Sequence, residues 1–293
     1  RRGRTHAGVQ GHPGAAAGGS GADVNDTPAG LQRVAVQRHE GPQQRPDHDW
    51  VIDEAPVALV YNGVSHVVML ATPTALDDLA VGFSLSEGLL QGLDELRDLQ
   101  VEHTAQGVSV HIEVSPRAFD RFKHRRRQLA GRTGCGLCGI DSLQAFEEAL
   151  PQRQVAAPGP DLSTAVRRAL QALPAHQPLQ ARSGASHAAA WATLDGELAL
   201  VREDVGRHNA LDKLIGALAR AAQGPMADGA PDARGVVLVS SRASHEMVSK
   251  CVRVGVGTLG AISAPTSMAI TLAQRSGLRL YGFCRGDAVV AYA

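Results

Sequence analysis

Residues 236–246 read Val236-Val237-Leu238-Val239-Ser240-Ser241-Arg242-Ala243-Ser244-His245-Glu246. Four consecutive apolar residues, with no polar residue between them, are typical of a short strand that is buried on both faces. The polar residues that follow are typical of a turn and a helix start, and a helical pattern then continues to about residue 254. This stretch therefore predicts one strand–turn–helix unit of an α/β sheet.

Similar units flank this stretch on both sides. The strands that composition and turn residues predict are 188–194 and 197–202, joined by Asp195-Gly196, then 259–262, 278–283 and 288–292. Helices are predicted between them, one of them after Ser263-Ala264-Pro265-Thr266-Ser267. Alternating strands and helices with short loops predict a layered α/β domain, with a largely parallel sheet and helices on both faces.

A smaller β-hairpin and helix region is predicted nearer the N-terminus. Residues 55–61 and 65–71 flank Asn62-Gly63, a strong signal for a two-residue hairpin turn. Thr72-Pro73-Thr74 then predicts a helix cap, and apolar residues at helical spacing extend the helix to about Leu90. A second hairpin, over 101–103 and 108–114, and a basic helix over 117–129 follow.

The chain is predicted to consist of a leader and one folded domain. Residues 1–48 are rich in Gly, Ala, Pro, Gln and Arg without apolar periodicity, which predicts a disordered leader. Residues 49–293 are predicted to form the domain, with a helix over 140–150 and a candidate internal boundary at 151–160, where Pro and Gln accumulate.

Composition argues against several classes of protein. Lys+Arg and Asp+Glu are both 29, so the formal net charge is zero, and aromatic residues make up only 3%; both observations weigh against a nucleic-acid-binding protein. No apolar run approaches the roughly 20 residues that span a bilayer, and no apolar segment of a secretory signal follows the N-terminal arginines. The expected location is therefore the cytoplasm, with no membrane partner.

Two of the four cysteines lie in a glycine-rich segment that reads Gly134-Cys135-Gly136-Leu137-Cys138-Gly139. So many glycines disfavour a helix or a strand, and a loop is expected. The basic residues around it are Arg117, Arg121, Lys123, His124, Arg125, Arg126, Arg127 and Arg132. Because nearby cations favour the thiolate over the thiol, the segment predicts two accessible and activated sulfur atoms.

Four interpretations of this thiol pair are open from the residues alone. A structural zinc site needs four ligands, whereas Cys251 and Cys284 are single and far along the chain. A thioredoxin-like redox pair opens a helix after a strand, whereas this pair follows a helix. A sulfur carrier would hold a persulfide on one thiol, and a loop suits a group that visits two partners. Two unreactive loop cysteines are the fourth interpretation.

A second candidate site is predicted at the carboxyl ends of the strands, where open α/β sheets bind ligands. The segments 203–213, 240–250 and 263–267 each place polar residues at a helix start, and helix N-termini attract anions. His187 and His208 are candidate acid–base groups or metal ligands. None of these three segments is a G-x-G-x-x-G motif or a Walker loop, which argues against a standard dinucleotide or NTPase site there. Ordinary helix capping is the alternative explanation.

Taken together, the motifs resemble the formate dehydrogenase accessory sulfurtransferase family, FdhD. The matching residues run in order from about Pro56 to Tyr292. They are Asn62-Gly63, Thr72-Pro73, Gly82-Phe83, Glu87-Gly88, residues 134–139, residues 203–213, residues 241–247, residues 263–267, Gly282-Phe283 and Arg285. The block over 203–213, Glu-Asp-Val-Gly-Arg-His-Asn-Ala-Leu-Asp-Lys, is highly specific.

The resemblance implies a fold and a function. The fold is a cytidine-deaminase-like α/β core without the deaminase zinc, usually as a homodimer and with no tightly bound metal of its own. The function is that of a sulfurtransferase with a cysteine persulfide intermediate. Such proteins take sulfur from a cysteine desulfurase and pass it to the bis(molybdopterin guanine dinucleotide) form of the molybdenum cofactor, which then enters formate dehydrogenase.

The resemblance also implies roles for particular residues. Cys135 matches the persulfide carrier and Cys138 its assisting partner. The cofactor contact near the C-terminus maps onto Phe283, Cys284, Arg285, Gly286, Asp287 and Ala288. The competing hypothesis is a deaminase-like or nucleotide-binding module that carries a C-x-x-C redox pair.

Overall fold

The computed structural model describes residues 27–129, 151, 153–155, 161–221 and 235–293. Its strands are β1 (Leu31–Glu40), β2 (Gln43–Ile52), β3 (Ala55–Tyr61), β4 (Val64–Ala71), β5 (Leu96–Thr104), β6 (Gly107–Val114), β7 (His187–Ala192), β8 (Leu198–Asp204), β9 (Val236–Val239), β10 (Thr258–Ala261), β11 (Arg279–Arg285) and β12 (Ala288–Ala291). Its helices are α1 (Leu76–Ser86), α2 (Pro116–Leu129), α3 (Ser163–Ala172), α4 (Pro178–Ser183), α5 (Arg207–Ala221), α6 (His245–Val254) and α7 (Ser267–Ser276). Short 3₁₀ turns occupy Leu93–Glu95 and Leu173–His176.

The C-terminal part is built on a six-stranded sheet with the order β12-β11-β10-β9-β7-β8. Strands β9, β10 and β11 run parallel, whereas β7 pairs antiparallel with β8 and β9, and β12 antiparallel with β11. The prediction of a largely parallel sheet was therefore right only for these three strands. The reason is that tight turns join β7 to β8 and β11 to β12, and a tight turn can join only antiparallel neighbours.

Helices cover both faces of this sheet, as the apolar run of β9 predicts. Val237 and Val239 pack into the core that α5, α6 and α7 share. Val236 and Leu238 pack into the core on the opposite face, under α3. Because successive side chains of a strand point to opposite faces, burial of all four residues requires a helical layer on each side. The layered α/β architecture is confirmed.

The predicted smaller region is a four-stranded sheet with the order β4-β3-β6-β5, covered by α1 and α2. Asn62 and Gly63 form the turn between β3 and β4, and both have positive φ, 44° and 77°, as a two-residue hairpin turn requires. Leu59 and Ile112 line the inner face of the sheet, and Phe122 of α2 packs onto it. The sequence predicted both hairpins of this sheet and the start of the basic helix near Pro116.

The prediction of a disordered leader was wrong from Leu31 onward. Strands β1 and β2 form an antiparallel hairpin of ten residue pairs, which turns at Gly41. Its sequence lacks apolar periodicity because cross-strand ion pairs take the place of apolar contacts: Arg38 Nε lies 2.7 Å from Asp47 Oδ2, and Arg45 Nη2 lies 3.4 Å from Glu40 Oε1. Residues 1–26 lie outside the described part of the chain.

The predicted cap of α1 was also wrong. The helix begins at Leu76 and ends at Ser86, and its N-cap residue Ala75 has a φ of 49° and makes no side-chain capping hydrogen bond. The hydroxyl of Thr72 accepts instead from the backbone N–H of Val205, at 3.1 Å. Long-range contacts of this kind cannot be read from the local pattern.

The predicted helix over 140–150 lies outside the described residues, as does most of the candidate boundary. The described end of that boundary packs with the C-terminal sheet. The backbone N–H of Val155 donates to the carbonyl of Ser276 at 2.9 Å, and its side chain is buried in the core under α5 to α7. Among the helices described, none has the length and apolar character to cross a membrane.

Helices α1 and α5 join the two sheets at a pair of glycines. A Cβ atom on Gly82 would overlap the backbone carbonyl of Asp212, and one on Gly216 would overlap that of Asp78. The two helix backbones can therefore approach only because both positions are glycine. This contact brings the end of β4 and the end of α1 next to the segment over 203–213.

Candidate functional site

The thiol segment with Cys135 and Cys138 lies outside the described residues. The described part of the candidate site is the edge of the six-stranded sheet at which β8, β9 and β10 end and β7 begins. Backbone hydrogen bonds join the loops at this edge. The N–H of Thr266 donates to the carbonyl of Ala243 at 3.0 Å, and the N–H of Phe283 donates to the carbonyl of Ser263 at 3.3 Å. The loops after β9, β10 and β11 thus form one connected surface, which we name the joined edge.

Glu203 and Asp204 begin the segment over 203–213, and both carboxylates accept hydrogen bonds from backbone N–H groups. Glu203 Oε2 and Oε1 accept from the N–H groups of Leu179 and Gln180, at 2.9 and 2.8 Å, and so cap α4. Asp204 Oδ2 accepts from the N–H of Thr72 at 3.1 Å, and its Oδ1 accepts from Gly206 at 2.8 Å. These acids hold chain segments in place and are not available to a substrate.

Lys213 closes the block and is fully buried. Its Nζ lies 2.6 Å from Asp204 Oδ2 and donates to the carbonyl of Thr72 at 2.9 Å. Burial lowers the pKa of Lys213 below its ordinary value, against the opposing effect of Asp204. Through Thr72, the pair connects the segment after β4 to the end of β8 and the middle of α5.

A second buried lysine, Lys250 of α6, links helices from both sheets. Its Nζ donates at 2.9 Å to Ser86 Oγ, to Glu87 Oε1 and to Asp212 Oδ1. The ammonium also lies 5.5 Å from the ring centroid of Phe83. Burial acts to lower the pKa of Lys250, but the two carboxylates outweigh it and raise the pKa above the ordinary value.

Arg207 and His208, at the start of α5, differ from the rest of the block. Arg207 Nε and His208 Nε2 are buried and have no hydrogen-bond partner among the described residues. Burial lowers the pKa of His208 to about 4, and the charges of Arg207 and Lys250 act in the same direction. Burial and Arg207 also lower the pKa of His187. Both imidazoles are thus neutral near pH 7, which suits hydrogen bonding to a ligand better than charge pairing.

The segment over 283–288 forms the turn between β11 and β12. Phe283 has a φ of 50°, and 45% of its surface is exposed. It lies beside Ser263, at the joined edge. Arg285 pairs with Ala288 across the strands. On the other side of the turn, Gln171 of α3 donates to the carbonyl of Gly286 at 3.0 Å and to Asp287 Oδ1 at 3.3 Å.

Metal ligands do not cluster in the described part of the chain. No group of three or more His, Cys, Asp or Glu side chains there is arranged to hold a metal ion. The described cysteines, Cys251 and Cys284, are both buried and free of disulfide bonds.

Comparison with known proteins places this architecture in a family. The sequence profile of the FdhD/NarQ family matches residues 52–293. The chain belongs to the FdhD/NarQ family. It is 47% identical over 273 residues to the sulfur carrier protein FdhD of Chromobacterium violaceum, covering 92% of this chain and 98% of that one. It is 49% identical over 271 residues to the sulfur carrier protein FdhD of Variovorax paradoxus, covering 92% and 94%.

A solved structure supports the fold of this FdhD/NarQ chain. The crystal structure of a putative formate dehydrogenase accessory protein from Desulfotalea psychrophila superposes with a TM-score of 0.63. The match covers 89% of this chain and 96% of the other, at 20% sequence identity. The arrangement of both sheets is therefore shared beyond close relatives.

The structure separates the predicted site residues of this FdhD/NarQ member into groups. His208 and Phe283 lie at the joined edge, where the site was predicted, whereas Gly286 and Asp287 lie at the turn held by α3. Cys284 is only 7% exposed, because its side chain enters the core under α3. Glu87, one of the residues that carry the family resemblance, is the C-cap residue of α1, and its carboxylate accepts from the buried Lys250.

Sequence reasoning did not predict the role of Lys250. One signal was available: Lys250 falls among Met247, Val248 and Cys251 on the apolar face of α6, and a lysine at a core position requires a buried acid. The partner acids, Glu87 and Asp212, lie on different helices, so no spacing rule identifies them.

Proposed function

We propose that this chain is a sulfur carrier in which Cys135 holds a persulfide, as a sulfurtransferase acting for formate dehydrogenase. The observation that carries the proposal is the burial and the raised pKa of the other two cysteines, Cys251 and Cys284. Burial raises the pKa of Cys251 to about 12 and that of Cys284 to about 11, so both are protonated and enclosed near neutral pH. Of the four cysteines, this leaves Cys135 and Cys138 as candidates for reactive thiols.

The loading step balances without an added oxidant. The thiolate of Cys135 attacks the outer sulfur of a persulfide on a cysteine desulfurase. One S–S bond breaks and another forms, the donor cysteine leaves as a thiolate, and Cys135 becomes the persulfide. Basic residues before the loop favour the attacking thiolate. Cys138 is proposed to assist, three residues away in the chain.

The acceptor is proposed to be the bis(molybdopterin guanine dinucleotide) form of the molybdenum cofactor, bound as a substrate. The joined edge supports this proposal in two ways. At the start of α5, the buried Nε of Arg207 and Nε2 of the neutral His208 have no hydrogen-bond partner among the described residues, and both groups suit phosphate oxygens. Phe283 offers an exposed ring on which a base could stack. The turn residues Arg285 to Ala288 would flank the same ligand, and Cys284 would contribute through its backbone.

Further parts of the proposal follow from family membership. The sulfurated cofactor is delivered to formate dehydrogenase, the chain acts in the cytoplasm as a homodimer, and it needs no resident metal. A cytidine-deaminase-like core belongs to the same set of expectations.

The test is mass spectrometry of the protein after incubation with a cysteine desulfurase and cysteine. We expect 32 Da (about one sulfur atom) to be added at Cys135, and a Cys135→Ala variant to load no sulfur and to leave formate dehydrogenase inactive. Cys138→Ala, from the same loop, is the matched control and should still load sulfur. Sulfur found only on Cys251 or Cys284, or full activation by Cys135→Ala, would contradict the proposal. Stoichiometric zinc in the pure protein would favour the deaminase-like alternative.

A further inference from the structure

A cavity of about 380 Å³ lies where helices α1, α5 and α6 end. Residues from the last turn of each helix, or directly after it, line the cavity: Leu85, Gly88, Ala219 and Val254. Helix α5 begins at the joined edge with Arg207, and Ala219 lies about 18 Å further along the helix axis. The cavity is therefore separate from the edge at which the cofactor is proposed to bind, and it has the volume of a small-molecule site.

Part of the lining is apolar and is held in place by two hydrophobic cores. Leu90 is 2% exposed and belongs to the core of the four-stranded sheet, whereas Val254 is 6% exposed and belongs to the core under α5 to α7. Leu85, which also lines the cavity, packs against both cores. Because packing fixes these side chains, the apolar surface does not have to reorganise when a ligand binds, and this favours a hydrocarbon group.

The polar part of the lining is cationic. It contains Arg153, Arg253 and the amide of Gln91, and none of the described residues that line the cavity is acidic. Arg153 is exposed, and its guanidinium lies against Gly255, where a Cβ atom would come within 2.8 Å of Nη2. Its Nη1 donates to the carbonyl of Arg253 at 3.4 Å. Since a guanidinium has five N–H donors in a planar fork, an arginine that makes one such contact keeps donors for a carboxylate.

The acidic side chains nearest to the cavity in the chain do not neutralise this lining. Glu87 accepts from Lys250 Nζ at 2.9 Å, and Glu95 is paired with Arg121. Asp94 is exposed to solvent and does not line the cavity. The charge that the described lining presents is therefore positive, and it favours a negatively charged ligand.

The three helices that end at the cavity favour a ligand with one negative charge over a ligand with two. A helix C-terminus carries a partial negative charge, whereas phosphate sites are typical of helix N-termini. Val254 is the last residue of α6, and the carbonyl of Arg253 lies in the same turn. A carboxylate therefore reaches the arginine side chains with less repulsion from helix carbonyls than a phosphate dianion does.

We propose that this cavity is a binding site for a small organic carboxylate. The carboxylate group binds to Arg153 and Arg253, and the hydrocarbon part packs against Leu85, Leu90 and Val254. The site does not depend on the sulfur chemistry, because none of the described residues that line it is a cysteine or belongs to the joined edge. A bound carboxylate connects the ends of α1 and α6, so it stabilises the folded chain by mass action.

The first test compares three ligands with similar hydrocarbon chains on the full-length protein, by isothermal titration calorimetry and thermal unfolding. Hexanoate is the carboxylate, hexanamide its neutral counterpart and hexyl phosphate the dianion. We expect one hexanoate to bind per chain and to raise the melting temperature, and the other two ligands to bind at least about tenfold more weakly. Hexanamide or hexyl phosphate binding as tightly as hexanoate would overturn the inference, as would the absence of saturable hexanoate binding up to about 50 mM.

The second test assigns the binding to this cavity. Arg153→Met removes one cation at an exposed position, and we expect hexanoate to bind about tenfold more weakly, with hexanamide unchanged within about twofold. Arg153→Lys should recover part of the loss, because it restores the charge without the planar fork. The matched control, Arg33→Met, removes an exposed arginine of β1 and should bind hexanoate like the wild type.

A third variant, Ala219→Val, narrows the cavity from its buried side and should weaken hexanoate and hexanamide alike. Unchanged hexanoate binding in Arg153→Met or in Ala219→Val would place the ligand elsewhere on the molecule and overturn the inference. If Ala219→Val does not fold, Arg153→Met decides alone, because Arg153 is exposed and belongs to neither core.

Discussion

His208 and Lys213 lie five residues apart in one charged segment, and the structure places them in different surroundings. Lys213 is buried in an ion pair with Asp204, and this pair has a structural role. His208 lies at the helix start, and its Nε2 lacks a partner among the described residues. At the scale of single residues, the electrostatic state of each group therefore follows from which side of α5 it occupies, not from the charges next to it in the chain.

The depressed pKa of His208 predicts a pH dependence of stability. Because its pKa falls from the ordinary 6.5 to about 4 in the folded protein, the unfolded chain binds the proton more tightly, and stability decreases as pH falls below about 6.5. Between pH 7 and pH 5 this one group should cost on the order of 2 kcal/mol of unfolding free energy. Urea unfolding of wild type and His208→Gln at both pH values measures this loss of unfolding free energy. An identical loss in wild type and His208→Gln would contradict the prediction.

At the scale of elements, the contact between α1 and α5 determines how the two sheets meet. Each helix presents a glycine to the backbone of the other, so their separation is smaller than side chains would allow. The same contact places Asp78 of α1 against Arg220 Nη1 of α5, at 2.6 Å, and Arg202 Nε of β8, at 2.9 Å. At this helix crossing, the close approach of the two backbones and the ion pairs of Asp78 both hold α1 against α5.

A methyl group at this crossing should separate the helices. In an exposed helix, Gly→Ala stabilises by roughly 1 kcal/mol because alanine has the higher helix propensity. For Gly216→Ala we expect the opposite sign, a loss of about 3 kcal/mol or more, because the new Cβ meets the backbone of Asp78, which cannot move aside. Thermal and urea unfolding measure the change. A melting temperature equal to or above that of the wild type would show that the helices can separate at no cost.

At the scale of the whole molecule, buried ion pairs connect the two sheets. Lys250 of α6 contacts Ser86 and Glu87 at the end of α1, and Asp212 of α5. Lys213 and Asp204 make a similar connection to the end of β4. Since both pairs are enclosed, each ion depends on its partner for stabilisation, and removing one partner leaves the other as an uncompensated buried charge.

Breaking the Lys250 pair should therefore destabilise the whole fold. Lys250→Met leaves Asp212 buried without its cation, and we expect a loss of about 3–5 kcal/mol in unfolding free energy. Adding Asp212→Asn should recover part of that loss, because the asparagine is neutral and can still bond to Ser86. Lys123→Met, at an exposed pair, is the control and should produce no measurable change. A loss below about 1 kcal/mol in Lys250→Met would argue against the role of the pair.

Much of the fold could be predicted from the sequence where local rules apply. The turn at Asn62-Gly63, the buried strand over 236–239 and the helix after Thr266 follow from backbone preference and apolar pattern. The prediction failed where partners lie far along the chain: Thr72 serves β8 and α5 instead of capping α1, and the hairpin of β1 and β2 is held by cross-strand ion pairs. Local patterns carry no information about such contacts.

The sequence by itself determined the family and the layered α/β architecture, because these depend on the order of motifs and on residue type. Only the tertiary structure decided how the block over 203–213 is used. Hydrogen bonds to α4, β4 and α1 occupy Glu203, Asp204, Asp212 and Lys213. Arg207 Nε and His208 Nε2, at the start of α5, have no hydrogen-bond partner within the part of the chain that the structure describes. The physical reason is that the role of a charged side chain depends on what surrounds it, and the surroundings of this segment come from residues up to 141 positions away in the chain.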